Sequence, residues 1–257
     1  MPPVFDIFTD CEALASALAI RVAAIAAEAA AARGAFRIAI PGGSVVAFLA
    51  RGLAQVKLEP AAWHVFWADE RCVPLADPRS NARLAQVELL DRLRIPPARQ
   101  HVIEGSLGPE AAAAAYEEDL KAAFGARGLP VFDLVLLGLG EDGHIASLFP
   151  GQPALAETTR WAAPVWNAPK PPPERVTLTL PVLNQARHIL VAAAGSPGMI
   201  TADRAAAGDG KAEAVAQCFA PPAADAPPLP ARRLAPAAGE LRWLLDRAAA
   251  AQLQETP

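Results

Sequence analysis

The stretch "LVLLGLGEDGHIASLFP", residues 134–150, carries the decision about the fold. An apolar run empties into three glycines, two carboxylates and a histidine, and Pro150 then stops the chain. Gly138-x-Gly140-x-x-Gly143 matches the dinucleotide-binding spacing. That reading needs a helix opening at the third glycine, so that its dipole meets a pyrophosphate. The residues after Gly143 leave room for about two turns at most before proline ends them. No following strand–helix–strand half ends in a ribose carboxylate, and Glu157, at a tolerable distance, lies in a loop-like stretch. The alternative is a buried strand whose exit loop holds His144 against a ligand, and we read it so.

Outward from this strand, the chain alternates. Thr9 and Glu12 have capping-box spacing ahead of Leu14, Leu18, Val22 and Ile25, which share one helix face, and Gly34 closes that helix. "AFRIAI" is a short strand, "PGGS" a turn and "VVAFLARGLAQ" a helix. "WHVFWA" is a strand ending in "DERCVP", and Ser80 or Asn81 caps the helix "ARLAQVELLDRL". "HVIEG" suggests a short strand, and "PEAAAAAYEEDLKAAFG" a helix with proline in its first turn. Beyond Pro150, "RWAAPVW" and "RVTLTL" read as strands joined by the proline-rich "NAPKPPPE". "RHILVAAAG" reads as a buried strand and "ELRWLLDRAAAAQL" as a C-terminal helix. Strands alternating with long helices predict one domain over residues 1–257, an α/β fold with a mostly parallel sheet covered on both faces. Ligands then bind where the loops gather at the strands' carboxyl ends. Four loops with reactive residue types hold that position: Pro41–Ser44, Asp69–Arg71, Gly138–His144 and the region after Gly195.

Composition narrows the function classes. The 257 residues are 53% hydrophobic and 19% charged, a globular balance. A formal charge of −4 gives no electrostatic reason to expect nucleic acid. Cys11, Cys72 and Cys218 are widely spaced without a CxxC pair, which argues against disulfides and thiolate metal sites and for a reducing compartment. The start shows no basic region followed by an apolar one, and Arg21 and Glu28 interrupt the alanine-rich run that follows, so neither signal peptide nor membrane span is expected. Cytoplasmic is the expected location. His64, His101 and His188 sit singly on predicted strands and are expected to be structural. The five tryptophans are expected in packing.

"LLGLGEDGHIASLFPG" resembles the signature of the 6-phosphogluconolactonases, and "IPGGSVV", "FWADERCVPLADPRSN", "ERVTLTLPVLNQARHILV" and "WLLDRAAA" follow the same order over nearly the whole chain. The resemblance implies a Rossmann-like three-layer α/β/α sandwich shared with glucosamine-6-phosphate deaminase and ribose-5-phosphate isomerase. It implies hydrolysis of 6-phosphogluconolactone in the pentose phosphate pathway, with no cofactor and no required metal. The partner would be a small phosphorylated sugar lactone, without nucleic acid or membrane, and the assembly a monomer or weak homo-oligomer.

Each candidate residue has a chemical reason. An imidazole titrates near neutrality and suits proton abstraction from water, and the resemblance makes His144 the general base. Asp142 either orients that imidazole or caps its own loop. Gly42, Gly43 and Ser44 follow a strand and open a helix, which makes an anion site from backbone N–H groups or a plain tight turn. The family commonly has a small polar residue where Pro41 stands, so one N–H is missing here. Arg71 either clamps phosphate or stabilises the oxyanion, or pairs with Asp69 or Glu70 at a rim. Asp69 and Gly140 complete the substrate-binding set. The family's phosphate lysine follows Gly-x-x; "GSPGM" lacks it directly, and Gly208-Asp209-Gly210-Lys211 restores the pattern. Residues 196–207 then form an insertion or lid, and Lys211 rather than Arg204 holds phosphate.

Two rivals are weighed. A glucosamine-6-phosphate deaminase-type isomerase typically continues with phenylalanine-asparagine-glutamate after the histidine loop and has tyrosine after Asp-Glu, where this chain has "ASLFP" and Arg71. A non-catalytic sugar-phosphate sensor would call for an appended helix-turn-helix, for which a first helix starting by residue 10 leaves no room.

Overall fold

The computed structural model describes residues 4–195, 211–221 and 228–253. Strand β1 (Val4–Phe8) leads through α1 (Cys11–Arg33) to β2 (Phe36–Ile40), then α2 (Ser44–Leu53), β3 (Trp63–Trp67) and a short β4 (Asp69–Arg71). Helix α3 (Asn81–Ala85) runs on through a π turn into α4 (Asp91–Leu93), followed by β5 (Gln100–His101), α5 (Pro109–Phe124) and β6 (Leu134–Gly138). The rest is β7 (Ala162–Val165), β8 (Arg175–Leu178), α6 (Leu180–Asn184), β9 (His188–Ala193), α7 (Lys211–Phe219) and β10 (Glu240–Asp246).

Seven strands form one sheet in the order β1-β10-β9-β6-β2-β3-β5, every neighbouring pair parallel. β6 is the middle strand and buries Leu134, Val135, Leu136 and Leu137 in succession, as a strand covered on both faces must. From β2 the chain moves to β3 on one side, and from β6 to β9 on the other. The connections therefore diverge between β2 and β6, and a crevice opens at their carboxyl ends.

Local chemistry explains the elements beside that crevice. Asp10, not Thr9, is the N-cap of α1, accepting from the Ala13 N–H at 2.9 Å; Thr9 donates to the Asp10 carboxylate instead. The expected face of Leu14, Leu18, Val22 and Ile25 is buried, and Gly34 ends the helix at φ 71°. By length and hydropathy α1 would be apolar enough to cross a bilayer, but that face packs on α2. There a Cβ on Gly52 would strike the Ala15 carbonyl, so only glycine allows the approach. Buried Tyr116 on α5 both accepts from the Trp67 N–H and donates to the Trp67 carbonyl, each at 2.9 Å, pinning the end of β3.

Three findings depart from the sequence reading. "ELRWLLD" is not helical; it is β10, inserted between β9 and β1. Its residues Trp243, Leu244, Leu245 and Asp246 are buried consecutively, so the strand lacks the alternation that would have exposed it. β1 itself was not anticipated. Finally, "DER" is a strand rather than a loop, and it joins β8 and β7 in a separate antiparallel sheet of order β4-β8-β7. Ala68 is the crossing point: its N–H bonds the Ile40 carbonyl of the large sheet, and its carbonyl accepts from Leu178 of the small one, both at 2.8 Å. This jump delivers Asp69 and Arg71 to the rim of the crevice.

His64 and His101 each stand alone on their own strand, as expected, and the sheet makes them neighbours. They face each other from β3 and β5, with Nδ1 of His64 3.3 Å from Nε2 of His101, while His101 Nδ1 lies 2.9 Å from Asp119. Among the described residues, no three metal-ligating side chains converge. Of the tryptophans, Trp63, Trp67, Trp161 and Trp243 are buried and Trp166 is exposed.

Candidate active site

The crevice is a cavity of about 480 Å³, walled by the loops after β2, β6 and β9, by β4 and β8, and by the start of α7. It brings together Gly42, Gly43, Ser44, Asp69, Arg71, Gly140, His144 and Lys211. Asp142 stands one shell back, behind the imidazole. Arg204 and residues 196–207, the expected insertion or lid, lie outside the described residues.

No helix opens after Gly143. The loop closes on itself instead, with the Gly140 N–H bonded to the His144 carbonyl at 2.8 Å and the Gly143 N–H to the Gly140 carbonyl at 3.1 Å. The nucleotide reading of this loop therefore has no helix dipole to work with. What the loop builds is a seat for His144. The ring packs on Phe149 with centroids 4.4 Å apart, and its Nδ1 lies 2.5 Å from Asp142 Oδ1. A Cβ on Gly140 would overlap both the imidazole and the Asp142 carboxylate, so glycine is required there by space. Burial pushes the Asp142 carboxyl up, but the hydrogen bond and charge of His144 outweigh it and hold it at about 2. An ionised Asp142 accepts the Nδ1 proton and leaves Nε2 as the free nitrogen.

Across the cavity, Gly43 sits at φ 72° and ψ −153° as N-cap of α2, with no side chain capping the helix. The first N–H groups of α2 therefore lack a side-chain partner at the cavity wall. Gly42 must also be glycine, since a Cβ would collide with the Asn81 amide. That amide in turn donates to the Asp69 carbonyl at 2.9 Å. The Asp69 carboxylate accepts from Ser147 Oγ at 2.6 Å and from Asn81 Nδ2 at 3.4 Å.

Glu70, between Asp69 and Arg71, points away from the cavity and accepts from Ser80 Oγ and from the N–H groups of Arg71, Asn81 and Ala82. Burial raises its pKa against the pull of those donors. Its job is to clamp β4 to the start of α3, where Ser80 is the N-cap, as one of the two expected residues. The Arg71 guanidinium pairs with neither Asp69 nor Glu70; it donates Nη1 to the Arg79 carbonyl at 2.5 Å and leaves its buried Nε without a partner.

Lys211 begins α7 and donates to the Leu139 carbonyl in the His144 loop. Burial lowers its pKa, with Glu141 acting in the opposite sense. Four polar or charged residues of the cavity wall were not among the expected site residues: Asn81, Glu141, Lys170 and Arg175. The last carried a signal, a charge inside the otherwise apolar "VTLTL" neighbourhood.

The comparisons agree with this architecture. The family model for glucosamine-6-phosphate isomerases/6-phosphogluconolactonase matches residues 9–243. The chain is 40% identical to the 6-phosphogluconolactonase of Homo sapiens over 255 residues, covering 97% of this chain and 93% of that one. It is 38% identical to a probable chloroplastic 6-phosphogluconolactonase 3 of Oryza sativa over 258 residues, covering 96% of this chain and 75% of that one. The solved 6-phosphogluconolactonase of Trypanosoma brucei superposes with a TM-score of 0.81 at 29% identity, covering 98% of this chain and 99% of that one.

Proposed function

From the premise that the chain belongs to the glucosamine-6-phosphate isomerase/6-phosphogluconolactonase family, we propose the following mechanism for its reaction. The protein is a lactone hydrolase that opens 6-phosphogluconolactone to 6-phosphogluconate in the pentose phosphate pathway. His144 is the general base. Its Nε2 takes a proton from water as the water oxygen bonds to the lactone carbonyl carbon. Asp142 holds the Nδ1 proton and stabilises the imidazolium that forms. When the tetrahedral intermediate collapses, the bond from the carbonyl carbon to the ring oxygen breaks, and the proton on Nε2 passes to that oxygen.

The 6-phosphate is held by the N–H groups of Gly43 and Ser44 at the start of α2, with Gly42 allowing close approach and Arg71 and Lys211 supplying charge. Asp69, fixed by Ser147 and Asn81, orients sugar hydroxyls. The observation that carries this reading is the 2.5 Å contact between His144 and an ionised carboxylate, inside a cavity that carries more cations than carboxylates.

Steady-state hydrolysis of freshly made 6-phosphogluconolactone, corrected for spontaneous opening, tests it. His144→Ala should lower kcat by roughly 10²–10⁴-fold with KM little changed. A variant with near-normal kcat moves the base elsewhere, Asp69 being next in line.

A further inference from the structure

Arg175 is 5% exposed, yet it lines the cavity. Its Nε donates to the Pro172 carbonyl at 2.9 Å and its Nη2 to the Lys170 carbonyl at 2.7 Å, while Nη1 has only a long contact of 3.4 Å to Ser147 Oγ. Asp69, Glu70 and Asp142 act on it from a distance, none within ion-pairing range. Asp69, the carboxylate that acts on it most, is engaged by Ser147 and Asn81. A buried cation without an ion partner is costly, and at contact distance its charge is answered by carbonyl dipoles and a ring face.

The register of the small sheet makes the arrangement more specific. Arg71 of β4 stands directly opposite Arg175 of β8. Opposed residues on antiparallel strands share a face with Cβ atoms about 4.5–5.5 Å apart, and like charges there repel. Both residues line the same cavity. Two guanidiniums lining one cavity, neither ion-paired and one with an underused Nη1, are set to receive one anion between them.

We propose that Arg175 is a phosphate-binding residue of this site, forming with Arg71 a two-arginine clamp that selects phosphorylated lactones. This deepens the lactonase reading and rests on it for the identity of the substrate; the clamp itself requires only a phosphate group. The fork geometry matters, because each guanidinium can present two N–H groups to phosphate oxygens.

The test compares the wild type with Arg175→Gln on two lactones, 6-phosphogluconolactone and unphosphorylated gluconolactone. Loss of one charged hydrogen-bonding partner should lower the kcat/KM ratio between them by about tenfold or more. A role confined to holding the carbonyls of Lys170 and Pro172 would lower both rates alike and leave the ratio intact, which would overturn the proposal. If Arg175→Gln does not fold, as judged by its melting transition, Arg175→Lys replaces it; an unchanged ratio there overturns the proposal too. Calorimetric titration with inorganic phosphate needs no turnover, so it separates the two readings. Weaker binding in the variant, with no lactone hydrolysis by the wild type, would sink the lactonase reading and keep the clamp. Equal binding, with the wild type active, would sink the clamp alone.

Discussion

The loops that leave β2 and β6 are neighbours in the crevice and both rich in glycine, yet they use glycine for different reasons. After β2, Gly43 is chosen for its dihedral angles: φ 72° with ψ −153° turns the chain straight into α2 and leaves that helix without a side-chain cap. After β6, Gly140 is not a positive-φ residue; it is chosen for the side chain it lacks, so that His144 and Asp142 can lie against the main chain. One loop makes a surface of backbone donors, suited to an anion that must be held. The other makes a socket for the side chain that moves a proton in the proposed mechanism. In the proposed mechanism binding and chemistry fall to separate loops, and substitutions can separate them.

The sharpest break should come at Gly140. Gly140→Ala places a methyl group in the space of the imidazole, and displacement of a reacting group by about 1 Å can cost on the order of 10²-fold. We expect kcat to fall by about that factor while KM stays within a few-fold, measured on 6-phosphogluconolactone. A variant with normal kcat would mean that this socket is not the catalytic one.

Next in size is Asp142→Asn, which should lower kcat roughly 10–100-fold by removing the acceptor that fixes the imidazole tautomer. pH adds a second readout. With its carboxyl held at about 2 against an ordinary 3.8, Asp142 stabilises the fold at pH values above 3.8, and that contribution fades as pH falls through 2. Thermal melts from pH 5 down to 2 should show a smaller loss of Tm in Asp142→Asn than in the wild type; parallel curves would contradict the assignment.

Smallest is Gly43→Ala. The backbone there is one that L side chains rarely adopt, at a cost of about 1–3 kcal/mol. Melting should shift down by several degrees, and KM should rise several-fold with kcat nearly unchanged. A kcat defect as large as that of Gly140→Ala would erase the division between the two loops.

Much of this was legible because it is local. Gly-Gly-Ser after a strand, the loop around His144 and the caps at Ser80 and Gly34 follow from spacing over a few residues, and they stand where expected. What misled was local too. Leu241, Leu244, Leu245 and Ala248 repeat at helical spacing, and a strand buried on both faces gives no alternation to contradict them. Thr9 and Asp10 are both sound caps by type, and only the backbone at Asp10 decides between them.

By itself, then, the sequence determined the parallel α/β class and pointed to the strand-end loops, and Asp69, Arg71, His144 and Lys211, which it singled out, all line the one cavity. Tertiary structure alone decided that "DER" crosses at Ala68 into a second sheet, that Arg175 lies opposite Arg71, and that Ser147 and Asn81 hold Asp69. The physical reason is distance along the chain. Arg71 and Arg175 are brought into register by strand pairing, and no periodicity within either segment encodes its partner.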